Sequence, residues 1–83
     1  MQLLYFGWVR IKMGIDREKI DLPAGVTDVQ GLIEHLREQG GAYAEALGDI
    51  SMVRVAVNQE LTDLDQAISE GDEVALFPPM TGG

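Results

Sequence analysis

One stretch of the chain, residues 27–39, carries apolar side chains at helical spacing, whereas most other apolar runs alternate. Val29, Leu32, Ile33 and Leu36 stand at i, i+3, i+4 and i+7, which places them on one stripe of a helix. A lone amphipathic helix must bury its stripe against another layer, and the alternating segments supply a sheet to receive it. Thr27 is a fitting N-cap, with Gln30 three residues on as its capping-box partner. Gly40 and Gly41 end this helix, and residues 42–47 fit one further helical turn or two, with Tyr43 and Leu47 facing the same way.

Residues 2–13 read as a strand. Leu3, Tyr5, Val9, Ile11 and Met13 share one alternation phase with Gly7 as its only gap, while Leu4, Phe6, Trp8, Arg10 and Lys12 form the other. Gly14 and Asp16 suggest a turn into a second strand at 18–22, with Ile20 and Leu22 in phase. The resulting N-terminal hairpin stops at Pro23, Ala24 and Gly25. Across 52–58, Val53, Val55 and Val57 point one way and Arg54, Ala56 and Asn58 the other. Asn58 and Gln59 form a plausible tight turn, because asparagine tolerates positive φ. A short edge segment at 60–64 follows, then a single helical turn at Ala67 and Ile68. Gly71 and Asp72 lead into a last strand, 73–77, with Val74 and Leu76 inward, and Pro78 and Pro79 end it because proline cannot donate to a ladder.

The order is strand, strand, helix, strand, short strand, strand. That is an α+β roll of the β-grasp type, a mixed sheet with one main helix packed on one face. The other face is left to solvent or to a partner. The expected core is Leu3, Tyr5, Val9, Ile11, Leu32, Ile33, Leu36, Val53, Val55, Val57, Val74 and Leu76. Alternation sends Phe6, Trp8, Ala56 and Phe77 to the opposite face, and Leu61 on the edge segment joins them.

With 83 residues, 46% of them hydrophobic, the chain builds one domain around one core. It has no cysteine, which excludes disulfides, thiolate metal sites and cysteine nucleophiles and suits a reducing cytoplasm. The run Leu3, Leu4, Tyr5, Phe6 is interrupted by Gly7 and Arg10 and is too short for a signal or a span, so a cytoplasmic protein without membrane contact is expected. Fourteen Asp and Glu against six Lys and Arg give a formal charge of -8. Such a surface repels phosphate backbones, so no nucleic-acid partner is expected. It either attracts a basic protein partner or merely keeps a small protein soluble.

Conventional catalytic motifs are absent from the sequence: there is no phosphate-binding glycine loop, H-E-x-x-H or G-x-S-x-G. His35 flanks the helical stripe and reads as a solvated helix residue. Ser51 and Ser69 lie in loop contexts without a histidine to activate them. Asp63 with Asp65, and Asp72 with Glu73, sit where turns favour acidic residues, and no metal site is expected. What stands out is the end of the chain. A core strand runs into Pro78 and Pro79, which favour extended geometry and stiffen a stem. Met80, Thr81, Gly82 and Gly83 then reach roughly 13 Å at about 3.3 Å per residue. The last two lack Cβ atoms and make a thread fit for a narrow channel, although a frayed terminus is the plain alternative.

Ala56, Val57, Asn58, Gln59 and Glu60, followed by the ending Gly71-Asp72-Glu73-Val74-Ala75-Leu76-Phe77-Pro78-Pro79-Met80-Thr81-Gly82-Gly83, resemble the small subunits of molybdopterin synthase, which are ubiquitin-like sulfur carriers. That family combines an Ala-Val-Asn strand end, a Gly-Asp-Glu-Val strand start and a Pro-Pro-x-Ser/Thr-Gly-Gly tail. Met80 departs from the usual valine, and Trp8 is larger than the family leads one to expect. The resemblance implies a ubiquitin-like β-grasp domain over 1–79 and a flexible tail at 80–83. It implies that Gly83, with Gly82 before it, is adenylated, converted to a thiocarboxylate and donates sulfur to cyclic pyranopterin monophosphate, forming the molybdopterin dithiolene. Phe6, Trp8, Leu61, Phe77, Pro78, Pro79, Met80 and Thr81 then bind partners. Those partners are the synthase large subunit, an E1-like adenylyltransferase and a sulfur donor protein, in a hetero-oligomer. No cofactor is bound permanently, ATP is used by the activating partner, and the chain is a sulfur-donating subunit without a side-chain catalyst. Alternatives are a thiamine-type sulfur carrier, a ubiquitin-like modifier joined through Gly83 to lysines, and a plain interaction domain with an idle tail.

Overall fold

The alternating segments assemble into one mixed sheet in a computed structural model that describes residues 1–79. The strands are β1 (Gln2–Tyr5), β2 (Arg17–Lys19), β3 (Arg54–Val57), β4 (Glu60–Thr62) and β5 (Glu73–Phe77). Their spatial order is β2-β1-β5-β3-β4, with β1 and β5 parallel at the centre and the other pairs antiparallel. The helices are α1 (Gly7–Met13), α2 (Val29–Glu38) and α3 (Gly41–Leu47), with a 3-10 turn at Ile50–Met52. Among the described residues no helix is long and apolar enough to cross a membrane. The expected tail, Met80, Thr81, Gly82 and Gly83, lies outside the described residues.

The largest departure from the sequence reading lies in residues 2–13, where the strand ends at Tyr5 and a helix follows. Gly7 has φ +57, a left-handed value that an L side chain resists, and it breaks the extended run just after Phe6. Gly14, at φ 78, closes the helix and donates its N–H to the Arg10 carbonyl at 2.9 Å. Between them, Val9 and Met13 are four residues apart, so they share a helix face just as they shared a strand phase. Ile11 decides between the two patterns. On a helix it stands about 200° round from Val9, and it is 76% exposed whereas Val9 is wholly buried, so Ile11 is not a core residue. Trp8 likewise leaves the outward strand position expected of it and packs, half-buried, against the core from α1. The hairpin survives around this insertion, but its second strand is Arg17–Lys19 rather than 18–22, with Leu3 opposite Glu18, Leu4 opposite Arg17, and the Tyr5 N–H donating to the Asp16 carbonyl at 2.9 Å.

The helical stripe is buried as its spacing requires: Val29, Leu32, Ile33 and Leu36 all face the sheet. The N-cap is Asp28 rather than Thr27, its Oδ1 accepting from the Gly31 N–H at 2.8 Å. Gln30 does not reach back to close a capping box; its Nε2 donates forward to Glu34 at 3.3 Å. The expected helical turn at Ala67 and Ile68 is instead extended. Asp28 and Ala67 form an isolated antiparallel bridge, and the first N–H groups of α2 are satisfied by this segment, Val29 donating to the Gln66 carbonyl at 3.0 Å and Gln30 to that of Leu64 at 2.8 Å. The β3–β4 turn is as read from the sequence. Asn58 and Gln59 have φ of 52 and 70, the paired positive values of a two-residue hairpin turn.

Leu3, Tyr5, Val55, Val57, Val74 and Leu76 form the sheet's buried face beneath α2, joined by Val9 and Val53. Met1, Ala46, Leu47 and Ile68, none of them in the expected core, complete it, Leu47 from the helical face that it was expected to share with Tyr43. Glu18 is turned to this side by its register with Leu3, and two phenols meet it there. The Tyr5 hydroxyl donates to its Oε2 at 2.6 Å, and Tyr43 on α3 donates across both oxygens at 2.8 and 2.9 Å. One carboxylate thus ties β2, β1 and α3 together. Burial first, and hydrogen bonding to Glu18 second, push the Tyr43 phenol up to about 12 from 10.0, and the same two causes push Tyr5 up further.

Three outcomes are expected. Leu36→Ala costs about 2–5 kcal/mol in chemical denaturation, whereas Ile11→Ala stays within about 0.5 kcal/mol; the reverse ranking would restore the strand reading. Because folded tyrosine pKa values are raised, the clamp's contribution is complete below 10.0 and is lost as pH rises toward about 12. Since the chain has two tyrosines, an ultraviolet titration of the native protein should show no ordinary tyrosinate step at 10.0, and one should return in denaturant.

Candidate functional site

Register across the sheet builds the face opposite the core. Leu61 on β4 stands opposite Ala56 on β3, Ala56 opposite Ala75 on β5, Ala75 beside Leu4 on β1, and Leu4 opposite Arg17 on β2. Directly paired residues point to the same side of a sheet, so these five form one continuous row. Two alanines make its floor shallow, and a leucine stands on either side of them. In the next row, Phe77 at the end of β5 is opposite Arg54. Phe6 lies alongside, its N–H donating to the Leu76 carbonyl at 3.1 Å. Phe6 is 49% exposed and Leu61 74%, values that mark apolar side chains without a partner in the domain.

Phe6, Phe77 and Leu61 therefore share the face that alternation assigned to them, while Trp8 lies on α1. Leu4, Arg17, Lys19 and Arg54 belong to the face as well. Leu4 is legible from its phase with Phe6 and Arg54 from its phase with Ala56, but the placement of Arg17 and Lys19 depends on strand pairing. The stem leaves from the aromatic end. Pro78 and Pro79 are half-buried, and the Pro78 ring lies so close to Gly7 that a Cβ there would stand 2.7 Å from Cγ and 2.8 Å from Cδ. The stem is thus seated on the first residue of α1. Met80, Thr81, Gly82 and Gly83 fall outside the described residues, so their expected roles have no geometry to set beside them.

This arrangement of a half-covered mixed sheet with a proline stem at its central strand has relatives. The profile of the ThiS family matches residues 3–83. The chain belongs to the ThiS family. It is 39% identical over 83 residues to the molybdopterin synthase sulfur carrier subunit of Escherichia coli, covering 100% of this chain and 99% of that one. The resemblance first visible in the last third of the sequence thus runs its whole length. The fold is shared with small archaeal modifier protein 1 of Haloferax volcanii, at TM-score 0.74 and 27% identity, covering 96% of this chain and 97% of that one. It is shared also with a chain of the complex of subunits 1 and 2 of molybdopterin-converting factor from Helicobacter pylori, at TM-score 0.64 and 26% identity, covering 99% of this chain and 96% of that one.

Polar side chains elsewhere in this ThiS-family domain are engaged in holding it together. His35 pairs with Gln39 one helical turn on, at 3.1 Å, and the Ser51 hydroxyl donates to Asp49 at 2.6 Å. At the foot of β5, Asp72 accepts from Asn58 Nδ2 at 3.1 Å and from the Ser69 N–H at 2.8 Å, while Asn58 Oδ1 accepts from the Glu73 N–H. The Asn58 side chain first and the Ser69 N–H second hold the Asp72 carboxyl below its ordinary 3.8. Glu70 is held below 4.5, first by the Leu22 N–H and then by the Met1 ammonium.

Folded carboxyl pKa values that are depressed give stability that is present above the ordinary values and lost as pH falls through the folded ones. The contribution of Glu70 should therefore diminish below 4.5 and that of Asp72 below 3.8, with the Asp72 carboxyl titrating by NMR at a midpoint under 3.8. Asn58→Gly keeps the positive φ but removes the amide, and should move the midpoint back up toward 3.8.

Proposed function

We propose that the chain is the sulfur carrier subunit of a molybdopterin synthase, with the carboxylate of Gly83 as its reacting group. The observation that carries this reading is the placement of the stem. The central strand β5 ends at the aromatic end of the open apolar face and continues there into Pro78 and Pro79. A partner docked on Leu4, Phe6, Leu61 and Phe77 would receive the tail at the border of its contact, where a channel could take the thread of Gly82 and Gly83. The full-length likeness to the Escherichia coli sulfur carrier supports the assignment, and the Helicobacter pylori complex supports a large subunit as the docked partner.

A carboxylate is a poor electrophile, so the reaction begins with activation. An E1-like adenylyltransferase transfers AMP from ATP to Gly83 with release of pyrophosphate. Sulfide-level sulfur from a sulfur donor protein then displaces AMP at the acyl carbon and leaves a thiocarboxylate. Docked on the large subunit, the terminal sulfur attacks a side-chain carbon of cyclic pyranopterin monophosphate as a carbon–oxygen bond there breaks, and water then hydrolyses the acyl–sulfur bond, leaving the sulfur on the pterin and regenerating the carboxylate. Two such rounds build the dithiolene. In this scheme the chain contributes the reacting atom, the slim tail and the docking face. It holds no resident cofactor, and ATP is consumed on the partner. The likeness to an archaeal modifier protein favours a second reading, conjugation of Gly83 to lysines.

Incubation with the cognate activating enzyme, ATP and a sulfur donor should add the mass of one oxygen-to-sulfur exchange at Gly83, seen by intact mass spectrometry. One residue added after Gly83, or Gly83 deleted, displaces the carboxylate by about 3.5 Å. Reactive geometry does not tolerate that, and both variants should fold but accept no sulfur. Phe77→Ala should weaken large-subunit binding by about 2 kcal/mol or more with the fold retained. A wild-type chain that gains no sulfur while its activating enzyme consumes ATP would end this reading, and lysine conjugates in its place would establish the modifier.

A further inference from the structure

The net charge of -8 misdescribes the open face. Arg17 and Lys19 stand on it opposite Leu4 and Gln2, and Arg54 stands on it opposite Phe77. The strands carry three carboxylates, but Glu18 and Glu60 are in register with the core residues Leu3 and Val57 and turn to the other side. Only Glu73, beside Gln2, joins the open face from a strand. Three of the six basic residues therefore gather where the strands place one of the fourteen acidic ones. All three cations are exposed. Among the described residues, the ion pair found is that of the Met1 ammonium with Glu70, so none of the three forms a salt bridge there, although Lys19 lies near enough to Glu70 to help lower its pKa and Arg54 Nη1 donates to the Ser51 and Val53 carbonyls at 3.3 Å.

Screening decides which charges a docking partner feels. At physiological salt the Debye length is about 8 Å, so carboxylates on the helical side of the domain are largely hidden from a surface pressed against the sheet. The cations at the rim are not.

We propose that the open face docks on a protein surface whose apolar centre is bordered by carboxylates facing Arg17, Lys19 and Arg54. This rests on the sulfur-carrier reading, in which that surface belongs to the synthase large subunit. A basic partner, the kind that net charge alone would select, would bring like charges toward these three residues, and such juxtaposition opposes binding. A second copy docked through the same face is disfavoured for the same reason, because a two-fold contact sets each cationic rim against the other.

Charge reversal tests this against a control of equal net charge. Arg54→Glu on the face is compared with Arg37→Glu, an exposed residue of α2 on the other side of the sheet. The double variant Arg17→Glu/Lys19→Glu is measured beside them. Each is titrated against purified cognate large subunit by calorimetry at physiological salt, after circular dichroism has shown a native melt. The face variants should lose about tenfold or more in affinity, as repulsion replaces attraction. Arg37→Glu should stay within about twofold of wild type, as for a surface charge outside the contact. Face variants that bind as Arg37→Glu does, or more tightly, overturn the acidic rim and leave the carrier reading standing. A wild-type chain that does not bind the large subunit overturns both. A wild-type dimer in sedimentation that Leu61→Glu dissociates assigns the face to a second copy and overturns the proposal.

Discussion

The parallel pairing of β1 with β5 in the middle of the sheet is the contact on which the rest of the structure depends. It joins the first strand to the last, Gln2 beside Glu73 through Tyr5 beside Leu76, and every other element is packed around that seam. A parallel pair cannot be closed by a tight turn, so the chain between its two members has to travel over the sheet. It does so as α2 and α3, and that path covers one face and leaves the other bare. β5 has neighbours on both edges, so its backbone groups are satisfied within the sheet, and the stem that follows starts from an anchored base rather than a fraying end.

The two faces then have opposite tasks with the same strands. On one, Leu3, Tyr5, Val74 and Leu76 meet the stripe of α2 and supply the burial that holds so small a domain together. On the other, Ala56 and Ala75 leave a low floor between Leu4 and Leu61, with aromatic residues at the end from which Pro78 departs. A domain with no cysteine to staple it must protect its edges by other means. At the β2 edge the means is Glu18, held by both tyrosines, which fastens the outer strand to β1 and α3. The contact face can therefore be apolar and partly exposed while the edge beside it stays in place.

Much of this was legible residue by residue. The stripe of α2, the alternation of β3 and β5, the Asn58–Gln59 turn and the proline stop are all local patterns, and a local pattern survives in any fold that the chain adopts. So is the resemblance carried by Gly71 to Gly83, which led to the family before any geometry was known. The segment after Tyr5 is ambiguous in sequence because periods of 2 and 3.6 both place Val9 and Met13 together; Gly7, a gap in the strand pattern, is the first residue of α1. Thr27 and Asp28 are both good caps, and the choice fell to Asp28, whose segment is held by backbone bonds to 64–68, more than thirty residues away.

By itself, the sequence determined the class of fold, the main helix and its buried face, and the composition of the stem and tail, because each depends on neighbours along the chain. Tertiary structure alone decided which strands lie side by side, and with that everything that depends on register. It turned Glu18 inward to two tyrosines and Ile11 outward to solvent. It also gathered Arg17, Lys19 and Arg54 around an apolar floor in a chain whose net charge is strongly negative. The physical reason is that charge and burial act through distance in space, and strand pairing, which sets those distances, joins residues that the sequence keeps far apart.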